Sequence, residues 1–408
     1  MSHSNPNLSV AREVRYKQAP VLRTASPGSS NKFLIPGQGV FIFKFKSPIT
    51  PGFSTELSFS NSDSTEGIRL ILNTAFLKLL RYKAQNTQVL FETTKGLTTD
   101  KNAFWWVSLD ANNRCYRFGV GEARLETLVF EYFFPAKDTS AFLHNLTDFN
   151  FNAALIQPLR LLRDPVQNTV PLIVKGMDEL TMTDVASAAY MPKANLNNIG
   201  QKLYENVAGK KFVLNDDDFP DFAEAIEYSI ATPGCWCFET LKKKSESKPA
   251  GLEKQIYLRI TLGQNGGESP GIPYVMEIWP PGSFSSLHNH AGANALIRVL
   301  HGEIKVHLYS YLGAPKTYNP EGAIFKKGDV TWISPTLNQF HQLVNPNKEG
   351  PSCITIQCYM YDADDTGHYG YFDYIGTDEE ITSYEPGSDC DFMDFRMIVK
   401  EQWTNRNK

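Results

Sequence analysis

The sequence predicts a mainly β protein: an N-terminal β-sandwich, a mixed helical connecting segment and a C-terminal jelly-roll β-barrel. Two observations carry this reading. Short runs that alternate in polarity recur at hairpin spacing in the first third of the chain. Far downstream, glycines and histidines fall into two blocks that a folded-back barrel would bring together.

Residues 1–30 are rich in Ser, Asn and Pro without any period, which predicts a mobile tail. Val40 to Lys46 then reads V-F-I-F-K-F-K, with Val40 and Ile42 on one face and Phe41, Phe43 and Phe45 on the other. Similar runs follow at Leu57–Phe59, Ile68–Leu72, Gln88–Phe91, Phe104–Leu109, Tyr116–Val120 and Thr127–Phe134. Turn signals such as Asp110-Ala-Asn-Asn113 separate them. Seven short strands without a helical period predict a sandwich over residues 31–140. Its role is not marked by any motif, and neither is a protein partner. In the pair Trp105-Trp106, strand alternation predicts one buried and one exposed ring.

Residues 141–210 read as a mixed, helical connector. Asn152–Arg163 carries Leu155, Leu159 and Leu162 at helical spacing, with Pro158 set to kink or end the helix. Thr183–Ala189 and Asn197–Val207 also read as helices, the second closed by Gly209. The last domain, residues 211–408, begins with a helix at Asp221–Ile230. The acidic Asn215-Asp-Asp-Asp218 before it suits a helix N-terminus and lacks the alternation of a calcium loop. Lys242–Lys254 reads as a polar, solvated loop, and strands resume from Gln255 to about Asp373.

Composition narrows the function. The 408 residues suffice for two or three domains, and 42% hydrophobic with 21% charged residues is ordinary for a globular protein. A net charge of −4 without like-charge blocks gives no nucleic-acid surface. No apolar run approaches the roughly 18 residues of a membrane helix, and the polar Met1–Val10 is not a signal peptide. Six cysteines are too few for a disulfide scaffold; Cys235-Trp-Cys237 reads as buried free thiols. The expected protein is cytoplasmic, with neither nucleic acid nor membrane as partner.

Six of the eight histidines lie between positions 288 and 368. Pro281-Gly-Ser-Phe-Ser-Ser-Leu-His288-Asn-His290 ends in H-x-H; on an extended strand both imidazoles reach one metal. Further on, Gly328-Asp-Val-Thr-Trp-Ile-Ser-Pro335 leads to His341 and Asn345. Between the blocks, Leu300-His-Gly302-Glu-Ile suits a tight turn between two strands. Together these residues resemble the paired motifs of the cupins, G-x5-H-x-H and a return strand G-D…P…H-x3-N. Where most metal cupins place a glutamate ligand, this chain has Asn294 and Ala295. Three neutral imidazoles leave a divalent charge uncompensated and favour an anionic substrate ligand, such as a thiolate.

Tyr257-Leu-Arg259, the W-P-P-G-S-F-S-S-L-H-N-H segment, L-H-G-E-I, H-Q-L-V-N and the late Gln357-Cys-Tyr359 resemble cysteine dioxygenase, a cupin-superfamily thiol dioxygenase. The likeness covers roughly residues 200–375, about half of the chain. It implies Fe(II) as cofactor, held by His288, His290 and His341. It implies Arg259 on the substrate carboxylate, Tyr359 over the reacting thiolate and oxygen, and Gln357 in the catalytic relay Thr355–Gln357–Tyr359. The implied reaction takes a small thiol, L-cysteine, with O₂ to cysteine sulfinate, a step of cysteine catabolism toward taurine biosynthesis. Two positions depart from the family. Ala295 stands where animal enzymes crosslink a cysteine to the tyrosine, and Gln357 stands where the family has a titratable histidine. A dioxygenase for another thiol, such as 3-mercaptopropionate, and a catalytically weak cupin acting as a binding or regulatory protein are the alternatives. His301 and His307 read as structural residues, His368 as a residue behind the ligands or on the surface, and Trp279 and Trp332 as core or pocket wall.

Overall fold

The computed structural model describes residues 22–24, 32–136, 140–262, 268–269, 272–313, 322–361, 372–376 and 378–408. The expected tail, 1–30, lies outside them except for 22–24, and so does His368. The chain divides into two compact units, Met1–Thr169 and Val170–Lys408.

In the first unit two antiparallel sheets face each other. One runs in the order Leu22–Thr24, Ile156–Leu162, Gln38–Phe45, Trp105–Asp110, Cys115–Val120, Leu128–Phe133. The other runs Asp148–Phe151, Ser54–Ser60, Glu66–Asn73, Leu77–Lys83, Asn86–Thr93. Strand alternation turns aromatic side chains into the space between them. Phe41 meets Phe149 across the sheets at 4.8 Å, Phe91 meets Phe130 at 4.6 Å, and Phe59 meets Tyr116 at 5.8 Å. Such ring pairs add about 0.5–1.5 kcal/mol each beyond the area they bury.

Three expectations change here. Residues 156–162 form a strand, not a helix: leucines spaced for a helix also fit a pleat, and Pro158 sits at a register shift where its missing N–H is tolerated. This strand and Asp148–Phe151 complete the two sheets, so the first unit extends well into the segment read as a connector. Trp105 and Trp106 are both buried. Trp105 stacks among Phe43 and Phe45, while Trp106 packs with Val40, Ile42 and Val166 on the opposite face and donates its indole N–H to Thr127. The segment after Leu162 covers that second face, so neither ring meets solvent. The strand Leu77–Lys83, absent from the sequence reading, completes a hairpin ladder with its neighbours.

The second unit is built on a large sheet in the order Tyr190–Pro192, Ile173–Lys175, Val330–Ile333, Asn294–His301, Cys353–Met360, Ile272–Trp279, Leu258–Leu262, Cys390–Asp391. A smaller sheet, Gly322–Lys326, Glu303–Leu308, His341–Val344, lies in the same unit. The period of two sorts the central strands cleanly. Leu258, Ile260, Met276, Ile278, Leu296, Ile354, Ile356 and Cys358 pack with Leu203, Phe222, Ile226, Leu241, Phe395 and Val399, which come from four helices. These helices are Asn198–Ala208, Phe222–Ala231, Trp236–Glu246 and Phe392–Asn405. The intervening odd-numbered residues point away from the helices, into the barrel.

Two of those helices were not read from the sequence. Trp236–Glu246 runs into the expected polar loop and carries Lys242–Lys244. Lys244 is pinned rather than solvated: its ammonium donates to the Tyr257 carbonyl (2.7 Å) and pairs with Asp389. Phe392–Asn405 is the other; its Arg396 pairs with Asp216, whose carboxylate also accepts the Phe219 N–H and so closes the turn before Phe222–Ala231. Gly302 makes the turn between Asn294–His301 and Glu303–Leu308 at φ +67°, where a Cβ would lie 2.4 Å from the Ser352 carbonyl. Only glycine fits there. Among the described residues no helix is long and apolar enough to cross a membrane.

Candidate metal centre

The H-x-H segment is extended but is not part of a regular strand. His288 and His341 exchange both backbone hydrogen bonds at 3.1 Å, an isolated antiparallel bridge. That bridge, with the Phe284–Val344 bridge and the bonds from Ser285 N–H to the Leu343 carbonyl and from Asn345 N–H to the Ser283 carbonyl, brings the two sequence blocks together. After His290 the chain turns through Ala291 and Gly292, both at positive φ, into the strand Asn294–His301. Gln339 holds this turn: its Oε1 accepts the N–H groups of His290 (3.3 Å) and Gly292 (3.1 Å), and its Nε2 donates to Ala293. Asn345 donates to the Trp279 carbonyl at 2.9 Å, a structural role that leaves it out of the ligand set.

His288, His290 and His341 offer ring nitrogens that all lie within 4.8 Å of one another, and all three residues are buried. The Nδ1 atoms of His288 and His341 face the carbonyls of Ser286 (2.9 Å) and Asn338 (3.0 Å). A carbonyl accepts only, so each Nδ1 carries the proton and each Nε2 keeps its lone pair for a metal. His290 Nε2 lies 3.1 Å from His341 Nε2, and His290 Nδ1 is buried without a hydrogen-bond partner. Two converging Nε2 atoms beside an orphaned Nδ1 fit a cation better than a hydrogen-bonded histidine cluster. Burial lowers the pKa of His288 to about 4 and of His341 to about 3, and burial with the other two rings takes His290 well below its usual range. All three are therefore neutral near pH 7, the form that ligates.

A polar row faces this cluster from the strands of the large sheet. Arg259, Glu277 and Thr355 are direct cross-strand neighbours; Gln357 lies opposite Val275 and Ile297, and Tyr359 opposite Ala295. Ala295, too small to crowd the ring, joins Val275, Ile297 and Ile333 around Tyr359. Tyr359 stacks on His290 with centroids 5.3 Å apart, and Phe372 covers His290 at 4.4 Å. The Tyr359 hydroxyl donates to Gln357 Oε1, and Gln357 Nε2 donates to Glu277 and to Thr355 Oγ1 (3.3 Å). The expected relay Thr355–Gln357–Tyr359 is thus hydrogen-bonded as a unit. Burial, reinforced by Glu277, raises the Tyr359 pKa well above its usual value, so it donates as a neutral phenol.

Arg259 is brought to the same row. Its Nη1 donates to Glu277 Oε1 at 3.1 Å, and both side chains are nearly buried, with 12% and 6% of their surface exposed. Its charge contributes to the depressed pKa values of His288 and His290, behind burial in each case. Asp389 accepts the Arg259 N–H at 2.8 Å, which ties this strand to the Lys244 anchor. Beside His341 lies an apolar cavity of about 20 Å³ lined by Ile297, Val306, Phe325, Thr331 and Leu343.

Glu277 and Gln339 were missed in the sequence. A signal for Glu277 was present: a lone carboxylate in the apolar run V-M-E-I-W is a buried polar residue in want of a partner. Gln339 had no comparable mark. His301, 3.4 Å from Glu227, and His307, opposite Gln342, stand apart from the cluster. Trp279 stacks on Tyr257 at 4.3 Å in the core, while Trp332 donates to the Pro171 carbonyl and also lines the cavity beside His341.

No family model matches the chain. Solved structures similar to it include an oxalate oxidase in complex with the substrate analogue glycolate, at 18% identity over 28% of this chain and 52% of that one, with a TM-score of 0.21. A cupin superfamily protein from Desulfitobacterium hafniense matches at 17% identity over 26% of this chain and 79% of that one, TM-score 0.19. A structure of DMSP lyases matches at 14% identity over 28% and 49%, TM-score 0.20. The chain thus spans about half the length of the oxalate oxidase it matches. The architecture is a β-sandwich followed by a unit of one large and one smaller β-sheet, with helices packed on one face of the large sheet. His288, His290 and His341 form a group able to hold a metal ion.

Proposed function

We propose that the second unit is a non-haem iron thiol dioxygenase that converts L-cysteine to cysteine sulfinate. The observation that carries this reading is the placement of the row Arg259, Glu277, Thr355, Gln357, Tyr359 on the barrel-facing side of the sheet that supplies the wall around His288, His290 and His341. The balance is simple: a thiolate and O₂ give a sulfinate, with no outside reductant. Bound ferrous iron would supply the redox chemistry that joins dioxygen to sulfur. Three neutral imidazoles hold such an ion without cancelling its charge, which favours a thiolate as further ligand.

The protein residues have distinct tasks. Arg259 keeps N–H groups beyond the one given to Glu277, and these would orient the substrate carboxylate. Tyr359 would turn its single hydroxyl proton from Gln357 Oε1 toward the reacting sulfur and oxygen when substrate enters. Phe372 and the apolar cluster of Val275, Ile297 and Ile333 keep water from the Tyr359 side of the site. Small thiol and O₂ are the proposed partners, and the product would enter cysteine catabolism toward taurine. Gln357 favours one second reading, a thiol-binding cupin with weak turnover, because an amide cannot shuttle a proton near neutral pH.

The test is an anaerobic titration of the intact chain with Fe(II) and L-cysteine, followed by ¹⁸O₂. The expected product is cysteine sulfinate with both oxygens labelled. Absence of O₂ uptake with L-cysteine, 3-mercaptopropionate and cysteamine alike would refute the dioxygenase reading.

A further inference from the structure

The polar row accounts for one wall around the three histidines, and the apolar cavity beside His341 belongs to another. Two hydrophobic clusters line that cavity. Ile297 and Ile333 come from the group that surrounds Tyr359, and Val306, Phe325 and Leu343 from the group that includes Trp279. Arg259, Glu277, Thr355, Gln357 and Tyr359 take no part in its wall. The volume is about 20 Å³, above the roughly 10–15 Å³ needed for one water, so there is room for a molecule of one or two heavy atoms.

Water is a poor occupant, because a buried water needs about 2–4 polar partners. The polar side chains of the wall are engaged elsewhere. His341 Nδ1 donates to the Asn338 carbonyl (3.0 Å), Asn338 Nδ2 to the Trp332 carbonyl (3.1 Å), and the Trp332 indole N–H to the Pro171 carbonyl (3.0 Å). His341 Nε2 converges on His290 Nε2. The Thr331 hydroxyl by itself falls short of the number a water needs. A small apolar gas has the opposite requirement: it gains contact with the carbon atoms of the wall and gives up no hydrogen bond.

We propose that this cavity is a docking site for dioxygen, separate from the polar row that meets the thiol substrate. The inference rests on the thiol dioxygenase reading and adds to it the place where the second substrate waits. A charged thiol acid belongs with Arg259 and the polar row, and an apolar gas belongs with the hydrophobic wall. His341 is part of both regions, as cavity wall and as candidate ligand. Ile297 and Ile333 extend the same apolar surface to Tyr359, so O₂ moving along it would not have to cross the polar row.

The test uses the intact, metal-free chain with labelled methyl groups and dissolved O₂ as the probe, read by the paramagnetic relaxation it causes. Methyls of Ile297, Val306 and Leu343 are expected to gain at least about fivefold more relaxation than those of Leu196, Leu214 and Leu241, which are buried to a similar degree in the helix-packed core. Val306→Ile, which puts one more methyl group into the cavity, should abolish the excess at Ile297 and Leu343. In the iron-loaded protein the same variant should raise KM for O₂ by about threefold or more and leave KM for L-cysteine within about 1.5-fold of wild type. A merely structural Val306 would move both KM values or neither. Cavity methyls relaxed no more than the comparison methyls overturn the inference, and this wild-type measurement decides even where the variant does not fold. A bound water with cross-peaks to those methyls, in place of O₂, overturns it as well. So does an unchanged KM for O₂ in a variant that has lost the excess relaxation. Failure of the dioxygenase reading would show differently, as no O₂ uptake with any thiol, and the relaxation of the metal-free protein would still decide whether the cavity takes O₂.

Discussion

The sandwich and the barrel use the same pleated alternation for opposite ends. In the first unit the inward positions are Phe41, Phe59, Tyr116, Phe130 and Phe149, rings that pack against rings. In the second unit the central strands of the large sheet turn Arg259, Glu277, Thr355, Gln357 and Tyr359 inward. There the larger apolar core is placed on the other face, where Leu258, Ile260, Ile354 and Ile356 pack with helices, and a smaller one, Trp279, Val299 and Cys353 with Val306 and Phe325, shares the inner face with the polar row. A sheet that carries a buried polar row cannot spend its whole interior on a greasy core. It needs a second layer outside, and the four helices of the second unit supply one. The sandwich needs no such layer to make its core.

This contrast can be broken at its strongest point first. His288→Ala should lower metal affinity by more than about a hundredfold, since even the outer partners of metal-bound histidines are worth roughly 10–100-fold. Metal content after dialysis measures it, and full retention would remove His288 from the centre. The thermal midpoint should change little, because the stability of that unit comes from the helix-packed face. Phe149→Ala should do the reverse. It is expected to cost the first unit about 3–5 kcal/mol, through a cavity between the sheets, while metal binding stays as in wild type. Denaturant unfolding followed by near-ultraviolet circular dichroism reads the loss; an unchanged transition would mean that the ring pairs do not hold the sandwich together. The smallest effect belongs to Gln357→His. A histidine beside the Glu277 carboxylate is stabilised in its charged form, so its pKa should rise above the ordinary value of about 6.5. The pH profile of turnover should gain an inflection at or above that value; a profile identical to wild type would show that the partner of Tyr359 does not govern proton handling.

The three-histidine cluster was legible because ligand chemistry tolerates few residue types at fixed spacing, and His288, His290 and His341 meet that spacing in sequence. Most sandwich strands were legible because their polarity alternates. The reading failed where two periods coincide, as at Leu155, Leu159 and Leu162, which fit a helix and a pleat alike. It failed again at Trp105 and Trp106, where burial of the second sheet face depends on residues far away in sequence. Glu277 escaped for a related reason. That it meets Arg259 is a matter of strand register, and register is fixed by tertiary pairing rather than by either segment alone.

Cys358 stands between Gln357 and Tyr359 in the chain, one residue from each. The pleat sends its sulfur to the helix side, where it lies 3.6 Å from the Leu203 carbonyl and burial pushes its thiol pKa up to about 12. A thiol so placed is neither a nucleophile nor a competitor for the metal. In a protein proposed to oxidise sulfur, the backbone zigzag thus acts as a form of self-immunity: it separates the cysteine to be oxidised from the cysteine that must not be.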